Sequence, residues 1–369
     1  MMKNTTKSKF YSLDPIIATN STYNMIIGER SNGKTYACLK YGLFNFLQGN
    51  GQTAYLRRWQ EDITGSRGSE VFSALVANGE IEKLSNGEYS GIYYYSRRYY
   101  LCNYDDNGKP IYNEDDLFCY SFALSDVEHN KSVSYPKITT IVFDEFLTRD
   151  TYLRDEFIKF MNTVSTIVRQ RTNVKIFMLG NTVNRFSPYF NEMGLNNITG
   201  QEQGTIDIYS YGKSKLKVAV EYCAESKHKK ENNFYFAFNN PKLKMITSGA
   251  WELDLYPHCP VKFNSNDIQL IYFIIFNGKI YQAEIVEKDG AMFTYIHNKT
   301  TPIKNTDEDI IFSLEHNPKP NYSRSIIRPN SFLKINGIIR EFFENDKVFY
   351  QDNEVGDAIN NYINECKKL

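Results

Sequence analysis

Short apolar runs alternate with segments of helical periodicity up to about Gly200. Four of these runs have the length and apolar character of buried strands, namely Tyr23–Ile27, Thr53–Leu56, Ile138–Phe143 and Val174–Leu179. Apolar positions at helical spacing follow the first run over Tyr36–Leu47, and a further helix is predicted over Arg154–Arg169. Buried strands that alternate with helices predict an α/β fold with a parallel sheet.

The stretch from Glu88 to Leu124 interrupts this alternation. Gly91–Leu101 and Leu117–Leu124 read as strands, and Asp105–Gly108 between them is a strong turn signal. We therefore expect antiparallel strands inserted at the edge of the sheet. Their tyrosines and arginines could stack on nucleic-acid bases, although cross-strand packing is the commoner use of such a pattern.

The pattern changes after residue 203. Lysines recur in the next stretch, where Lys227-His228-Lys229-Lys230 is followed by polar residues. We interpret residues 204–250 as a basic linker or lid, whose charge suits either contact with phosphates or a solvated face.

From residue 251 the chain is rich in predicted strands. Gln269–Phe276 and Lys279–Val286 flank Asn277-Gly278, a hairpin turn signal, and Ala291–His297 follows as a third strand. Helical patterns cover Ser331–Glu344 and Glu354–Cys366, with a short strand near Val348 between them. The predicted organisation is a first domain over residues 1–203, the linker over 204–250 and a smaller α+β domain over 251–369.

Charge and cysteine content limit the classes of protein to which the chain can belong. The 369 residues carry 43 Lys+Arg and 43 Asp+Glu, so the zero net charge offers no long-range attraction to a polyanion. The 6 cysteines lack C-x-x-C spacing, which argues against a zinc site or a disulfide framework and for a reducing compartment. The longest apolar run, Ile268–Phe276, is too short to span a bilayer. We expect a soluble intracellular protein without a membrane partner.

Eight consecutive residues near the start of the chain form a phosphate-binding loop motif. Gly28-Glu29-Arg30-Ser31-Asn32-Gly33-Lys34-Thr35 matches G-x-x-x-x-G-K-[ST], in which backbone N–H groups wrap a phosphate. Lys34 would reach the β- and γ-phosphates of ATP, and the Thr35 hydroxyl would ligate Mg²⁺. A predicted strand precedes the motif and a predicted helix follows it, which is the context that a phosphate-binding loop requires. ATP and Mg²⁺ are the predicted ligands.

Polar residues follow the third and fourth buried strands. Asp144 and Glu145 come directly after Ile138–Phe143, and ligands of parallel sheets bind beyond the carboxyl ends of the strands. Asp144 is the predicted Mg²⁺ partner and Glu145 the predicted general base, a pair that favours hydrolysis over phosphotransfer to a small molecule. Asn181 follows the fourth strand and is the candidate γ-phosphate sensor, with a turn-forming role as its alternative.

Several arginines could meet the charge that develops on a transferred γ-phosphoryl group. Arg169 and Arg171 follow the predicted helix just before the fourth strand, from where they could project across a subunit boundary. Arg30 lies inside the phosphate-binding loop, and Arg57 and Arg58 follow the second strand. Each of them could equally be a surface cation.

In this order and spacing, the motifs resemble the genome-packaging ATPase of small tailed phages with protein-primed genomes, the Salasmaviridae type. The resembling segments are Ile26–Ala37, Ala54–Arg58, Thr140–Phe146, Arg169–Arg171 with the strand into Asn181, and Pro188–Phe190. A weaker match extends to the hairpin Tyr272–Tyr295. The Arg-Arg pair and the Phe-Asp-Glu-Phe run are more telling than the loop motif, which all phosphate-loop proteins share.

The resemblance implies an ATP-driven translocase that packages double-stranded viral DNA into a procapsid. It implies an additional-strand, RecA/terminase-like ATPase domain followed by a vestigial RNase H-like domain. Subunits of such families form a ring, typically a pentamer, that hydrolyses ATP at its interfaces and contacts the portal of the procapsid. Members related to this type also dock on a structural packaging RNA. The implied location is the host cell cytoplasm, transiently at the portal vertex.

The resemblance also suggests roles for the arginines. Arg169 matches the arginine finger that acts in trans in this family, with Arg171 as the near alternative. Arg30 matches the loop arginine of packaging enzymes generally. DNA contact should be to phosphates, because a packaging motor must grip any sequence. Arg149 and Arg154, which follow the predicted base, are the candidate gripping residues.

Nuclease activity is not expected from the second domain. Two-metal cleavage needs convergent carboxylates, but the predicted strand Gln269–Phe276 carries no acid, and Glu284 and Asp289 lack that partner. Two other functions remain open, a different phosphate-loop enzyme such as a helicase or kinase, and a structural module that binds nucleotide without hydrolysing it.

Overall fold

The computed structural model describes residues 11–126, 133–149, 152–224, 251, 255–259, 261–330 and 334–369. The chain divides into two compact units, Met1–Glu252 and Leu253–Leu369, each built around its own β-sheet. Within the described ranges, no helix combines the length and the apolar character needed to cross a membrane.

The first unit consists of a large sheet with helices against it. Its strands are β1 (Tyr23–Gly28), β2 (Gln52–Arg57), β3 (Gly91–Tyr95), β4 (Arg98–Tyr104), β5 (Pro110–Ile111), β6 (Leu117–Ala123), β7 (Ile138–Asp144), β8 (Lys175–Asn181), β9 (Thr205–Tyr211) and β10 (Leu216–Tyr222). Among the described residues its helices are α1 (Asp14–Ala18), α2 (Lys34–Leu47), α3 (Gly65–Ser69), α4 (Ser73–Ala77), α5 (Glu80–Leu84), α6 (Glu156–Val168) and α7 (Pro188–Glu192).

The sheet runs in the order β3-β4-β6-β2-β7-β8-β1-β10-β9. The six strands from β6 to β10 in this order are all parallel to one another. Strand β8 lies between β1 and β7, so an additional strand separates the strand before the phosphate-binding loop from the strand that ends in the acids. This confirms the predicted additional-strand α/β fold. The carboxyl ends of β1, β7 and β8 consequently meet at one edge of the sheet.

Both faces of the sheet are buried against helices. On one face Ile26 of β1 lies in a core cluster with Leu39 of α2, and on the other Phe143 of β7 lies in a cluster with Phe160 of α6. The rings of Phe143 and Phe160 stack with their centroids 5.3 Å apart. Strands buried on both faces have nearly continuous apolar sequences, which is why the pattern located them.

Two strands occupy the first part of the segment predicted to be a linker. Strand β10 pairs in parallel with β1, with Tyr23 opposite Val218, and β9 pairs antiparallel to β10 at the sheet edge. The linker prediction for residues 204–250 is therefore corrected as far as Tyr222. The buried run of β10, Val218 to Val220, is only three residues long and follows Lys215 and Lys217. The segment therefore lacks the longer apolar run by which the other parallel strands were predicted. The basic stretch at 227–230 lies outside the described residues.

The antiparallel insertion lies at the opposite edge of the sheet, as expected. Strand β4 pairs antiparallel with both β3 and β6. The predicted strand over Gly91–Leu101 is divided by a turn at Ser96 and Arg97, whose φ angles of 49° and 63° suit a two-residue hairpin. Tyr112 packs against Tyr93 and Tyr100 with ring centroids 5.0 and 4.7 Å apart, so these tyrosines pack against one another.

In its described residues, the second unit contains a smaller sheet with two helices. Its strands are β11 (Ile268–Phe276), β12 (Lys279–Lys288), β13 (Ala291–Lys299), β14 (Ile310–Ser313), β15 (Tyr322–Ser323) and β16 (Val348–Tyr350), and its helices are α8 (Ile335–Glu344) and α9 (Asn353–Lys368). The order is β15-β14-β11-β12-β13-β16, with β11, β12 and β13 antiparallel and β14 parallel to β11. Strands β11, β12 and β13 are antiparallel neighbours, and β14 and β15 lie beside β11 and run parallel to it. This arrangement agrees with the expected RNase H-like sheet.

Candidate nucleotide-binding site

A cavity of about 660 Å³ lies at the carboxyl ends of β1, β7 and β8. Five residues predicted from separate parts of the chain line it: Lys34, Thr35, Asp144, Glu145 and Asn181. The parallel register accounts for this convergence, because Gly28 pairs with Asn181 and Asp144 pairs with Leu179. The structure thus brings the predicted nucleotide, metal and base residues to one place.

The phosphate-binding loop leaves β1 at Gly28 and enters α2 at Lys34. Gly33 precedes the helix with a φ of 94°, a left-handed conformation that glycine adopts at little cost. Gly28 is needed for a different reason, since a Cβ at this position would lie 2.8 Å from the Cβ of Cys223. The Asn32 Oδ1 accepts a hydrogen bond from the Lys34 backbone N–H at 3.2 Å. The loop is therefore shaped by the two glycines and by a contact within its own sequence.

The Lys34 ammonium is buried among carbonyl oxygens of its own loop. Its Nζ donates to the Glu29 carbonyl at 2.6 Å and to the Gly28 carbonyl at 3.4 Å. It also donates to the Asn181 Oδ1 at 3.4 Å, which places the predicted sensor beside the loop. Burial lowers the pKa of Lys34, and nearby acidic groups, Asp144 among them, oppose that shift. Phosphate oxygens would offer this ammonium charged acceptors in place of neutral ones.

Asp144 is a buried carboxylate with donors at both oxygens. Oδ1 accepts from the Thr35 hydroxyl and from the Glu145 backbone N–H, each at 3.1 Å. Oδ2 accepts from the Tyr55 hydroxyl at 3.1 Å, and Arg57 Nη1 lies 3.8 Å away. Burial raises the pKa of Asp144, and the positive charge of Arg57 opposes that shift.

Glu145 lies at the mouth of the cavity with a carboxylate that is 57% exposed. Its Oε2 accepts from Arg57 Nη2 at 2.7 Å, and the same guanidinium contacts Asp62 Oδ2 at 3.4 Å. The Glu145 backbone is left-handed, with a φ of 57°. A side chain makes this conformation costly, so surrounding contacts must maintain it.

The other predicted cations near the site lie in different surroundings. Arg30 and Arg149 are exposed residues that line the cavity. The Arg154 side chain is 94% exposed, lies outside the cavity lining and pairs with Asp155 Oδ2 at 3.6 Å. The structure therefore brings Arg30 and Arg149 to the nucleotide site but not Arg154.

The two candidate finger arginines lie at the amino end of β8, away from the cavity of their own chain. Arg169 and Arg171 follow α6, which runs back along the sheet before β8 begins. Arg171 donates to five backbone carbonyls, those of Tyr135, Pro136, Ile138, Ile167 and Val168. The exposed Arg169 donates through Nη2 to the Val133 carbonyl at 3.1 Å. Arg171 thus holds the backbone of its own chain together, whereas Arg169 faces outwards.

The sequence pattern assigned no role to Tyr55 and did not show which of Arg57 and Arg58 contacts the two acids. Arg57 contacts both acids, whereas Arg58 is buried and its Nε lies 2.8 Å from Glu156 Oε2. These contacts follow from the position of β2 beside β7 in the sheet. The order of strands in a sheet does not follow from their order in the chain, so the sequence held no direct signal for them.

The residues of the site suit a metal-bound triphosphate. The Thr35 hydroxyl and the Asp144 carboxylate are oxygen donors 3.1 Å apart, and Mg²⁺ is held by such ligands. The amino end of α2 and the Lys34 ammonium supply positive charge for phosphate oxygens. A carboxylate beyond them, Glu145, could orient a water molecule towards a terminal phosphate.

Comparison with known proteins identifies relatives of this chain. The family model described as podovirus DNA encapsidation protein (Gp16) matches residues 5–294. The DNA packaging protein of Bacillus phage PZA is 23% identical over 291 residues, which are 78% of this chain and 79% of the relative. That of Bacillus phage B103 is 29% identical over 175 residues, 47% of this chain and 48% of the relative.

A solved structure shows the same fold. A chain of the bacteriophage Phi-29 viral genome packaging motor assembly aligns with a TM-score of 0.57 at 18% sequence identity. The alignment covers 98% of this chain and 99% of that chain. The similarity therefore extends over both units.

Proposed function

The chain belongs to the podovirus DNA encapsidation protein family, and we propose that it is the ATP-hydrolysing translocase that moves double-stranded DNA into a procapsid. The observation that carries this proposal is the convergence of Lys34, Thr35, Asp144 and Glu145 on one cavity. A loop for phosphates, a pair of oxygen ligands for Mg²⁺ and a carboxylate for water are the parts that ATP hydrolysis requires.

Each residue has a defined task in this proposal. Thr35 and Asp144 would hold Mg²⁺, which when bound to ATP neutralises charge on the phosphate oxygens. Lys34 would bind the β- and γ-phosphates, and Asn181, which lies beside Lys34, would contact the γ-phosphate. Glu145 would orient a water molecule for attack on the γ-phosphate.

We propose that Arg169 acts as a finger on the nucleotide of a neighbouring subunit. The Arg169 guanidinium is exposed, and among the described residues it donates one hydrogen bond, to the Val133 carbonyl. The five carbonyl contacts of Arg171 leave that guanidinium committed to its own backbone. Arg30 is the candidate for the same charge within one subunit, because it lines the cavity. A finger in trans requires a neighbouring subunit, and we propose that the subunits form a ring of the pentameric kind.

The proposed partners are double-stranded DNA of any sequence, the portal of the procapsid and a structural packaging RNA. Arg149 and Arg154 remain the proposed DNA contacts, and Arg149 is the more informative of the two because it also lines the nucleotide cavity. A cation that lines the nucleotide cavity and also binds a DNA phosphate would couple DNA binding to ATP hydrolysis. The proposed location is the host cytoplasm, with the motor at the portal during packaging.

The test is ATP turnover with and without double-stranded DNA, for the wild-type chain beside Glu145→Gln. Loss of the general base should lower turnover by about 10²–10⁴-fold. Glu192→Gln, at the exposed end of α7, is the matched control and should turn over ATP like the wild type. Turnover that DNA does not stimulate, with a silent Glu145→Gln, would instead support a structural module that only binds nucleotide. DNA unwinding or transfer of phosphate to an acceptor would support a helicase or kinase.

We also propose that the second unit has no nuclease activity. Glu284 lies on β12, where its Oε1 accepts from Gln282 Nε2 at 2.7 Å and lies 3.3 Å from His297 Nε2. An amide and an imidazole surround this acid in place of the second carboxylate that two-metal cleavage needs. DNA cleavage with Mn²⁺ that Glu284→Ala abolishes would contradict the proposal.

A further inference from the structure

Arg57 and Arg58 are consecutive residues at the end of β2, and they hold different parts of Glu145. Arg57 Nη2 contacts the Glu145 carboxylate at 2.7 Å. Arg58 Nη1 donates to the Glu145 backbone carbonyl at 3.1 Å, and its Nη2 donates to the Phe146 carbonyl at 2.8 Å. One arginine therefore binds the reacting side chain, and the next binds the backbone that carries it.

The Glu145 backbone needs such support because its φ is 57°. A residue with a side chain adopts this conformation only where surrounding contacts fix it. The Glu145 N–H is bound by Asp144 Oδ1 at 3.1 Å, and the Glu145 carbonyl is bound by Arg58. Loss of Arg58 would release one of the two contacts and allow the peptide to relax towards an ordinary conformation.

Arg58 is itself fixed by a buried carboxylate. Its Nε and Nη2 bind Glu156 Oε2 and Oε1 at 2.8 and 2.9 Å, a bidentate geometry. Glu156 also accepts from the Tyr189 hydroxyl at 2.8 Å and from the Leu153 N–H at 2.7 Å. Arg58 is 6% exposed and Glu156 is 2% exposed, so the pair is shielded from solvent and its geometry is rigid.

We propose that Arg58 is a positioning residue for ATP hydrolysis, which together with Glu156 fixes the backbone of Glu145 and so the direction of its carboxylate. The inference rests on the proposed hydrolytic role of Glu145. Neither Arg58 nor Glu156 lines the nucleotide cavity. Their removal should therefore lower kcat and leave nucleotide affinity unchanged, which a general loss of folded structure would not do.

The first experiment compares Arg58→Lys with the wild-type full-length chain in DNA-stimulated ATP turnover and in binding of a fluorescent ADP. Lysine keeps the charge but cannot bind Glu156 and two carbonyls together, because it lacks the planar guanidinium. We expect kcat to fall by about tenfold or more, as a small misplacement of a reacting group can cause. KM for ATP and the Kd for ADP should be unchanged. An unchanged kcat in a folded Arg58→Lys variant would overturn the inference.

Two further variants separate positioning from stability. Ile167→Ala removes a buried side chain from α6 without touching the Arg58 contacts, so it should lower Tm and leave kcat as in the wild type at a temperature where the chain is folded. The double variant Arg58→Lys/Glu145→Gln should turn over ATP no more slowly than Glu145→Gln alone, because Arg58 acts through the Glu145 carboxylate. A further loss in the double variant would overturn the inference. If Arg58→Lys does not fold, Glu156→Gln replaces it in both comparisons.

The same data distinguish this inference from the proposed function. A wild-type chain whose turnover survives Glu145→Gln would contradict the proposed function and, with it, the role of Arg58. If Glu145→Gln loses turnover but Arg58→Lys turns over ATP as fast as the wild type, only the positioning role of Arg58 is overturned.

Discussion

At the scale of single residues, the acidity of Asp144 is set by its neighbours. Burial raises the pKa of its carboxyl group, and the Arg57 guanidinium at 3.8 Å opposes that shift. Asp144 must be ionised to hold a divalent cation, so its ability to do so depends on an arginine that also binds Glu145 at 2.7 Å. One side chain thus influences both acids of the site.

The first prediction concerns the pH dependence of nucleotide binding. Mg²⁺-dependent binding should weaken as the pH falls through the pKa of Asp144, because protonation removes the negative charge. Arg57→Ala removes the opposing charge and so raises the pKa of Asp144, and binding should then begin to weaken at a higher pH than in the wild type. Binding of a fluorescent ADP with Mg²⁺ across a pH series measures the shift. Arg57→Lys keeps the charge, so its binding should weaken at nearly the same pH as in the wild type. An equal shift of this pH in both variants would contradict the explanation.

The second prediction concerns stability without nucleotide. A carboxyl group with a raised pKa stabilises the fold when protonated, and that stabilisation is lost as the pH rises through the folded-state pKa. Asp144→Asn should therefore raise the Tm of the nucleotide-free chain at pH values above that pKa, while turnover is lost. A gain of one kcal/mol corresponds to roughly 2–4 °C for a domain of this size. The gain should shrink in acid, and a lower Tm at alkaline pH would contradict the prediction.

At the scale of elements, the sequence was most informative where burial was most complete. Strands β1, β2, β7 and β8 appear as apolar runs because both faces of the parallel sheet are covered. Strand β10 was missed because its buried run is short and follows Lys215 and Lys217. The phosphate-binding loop and the two acids could be predicted since each lies within one local motif. The Arg57–Glu145 and Arg58–Glu156 contacts join segments whose adjacency depends on strand order.

The third prediction concerns the packing of α2 on β2. A Cβ on Gly42 would overlap the Thr53 Oγ1, so the helix or the Thr53 side chain must shift in Gly42→Ala. The expected loss is about 1–3 kcal/mol in the free energy of unfolding. Gly337→Ala in α8 is the matched control, because its Cβ would meet nothing within 4 Å. This substitution should stabilise its helix by roughly 0.5–1 kcal/mol. Thermal and denaturant unfolding of both variants tests the contrast, and equal effects would contradict it.

At the scale of the whole molecule, the nucleotide cavity and the proposed finger lie at opposite ends of the sheet. The cavity lies at the carboxyl ends of the strands, and the exposed Arg169 precedes β8 at its amino end. A subunit that offers Arg169 to its neighbour would complete a site that it does not complete in itself. Zero net charge also means that DNA must be held by local cations and not by the field of the whole subunit.

The fourth prediction follows from this arrangement. Lys34→Ala should fail to turn over ATP because it lacks the phosphate contact, and Arg169→Ala should fail because its neighbours lack the finger. In a mixture, an Arg169→Ala subunit receives the finger of a Lys34→Ala neighbour, so part of the activity should return. ATP turnover measured against the mixing ratio should pass through a maximum. Mixtures of Arg30→Ala with Lys34→Ala are the control, because a charge supplied within one subunit cannot be restored by a neighbour. If turnover in the mixtures of Arg169→Ala with Lys34→Ala does not rise at any mixing ratio, a role of Arg169 in trans is contradicted.

The pairing of β1 with β10 also has a consequence for synthesis of the chain. Ile27, next to the phosphate-binding loop, pairs with Tyr222, which leaves the ribosome 195 residues later. At about 5–20 residues per second, the nascent chain would spend roughly 10–40 s with this edge of β1 unpaired. Pairing of this edge, beside the nucleotide site, therefore waits until most of the first unit has been translated. A chain shortened to residues 1–203 would retain every motif of the site yet expose an apolar parallel edge, and we expect it to aggregate.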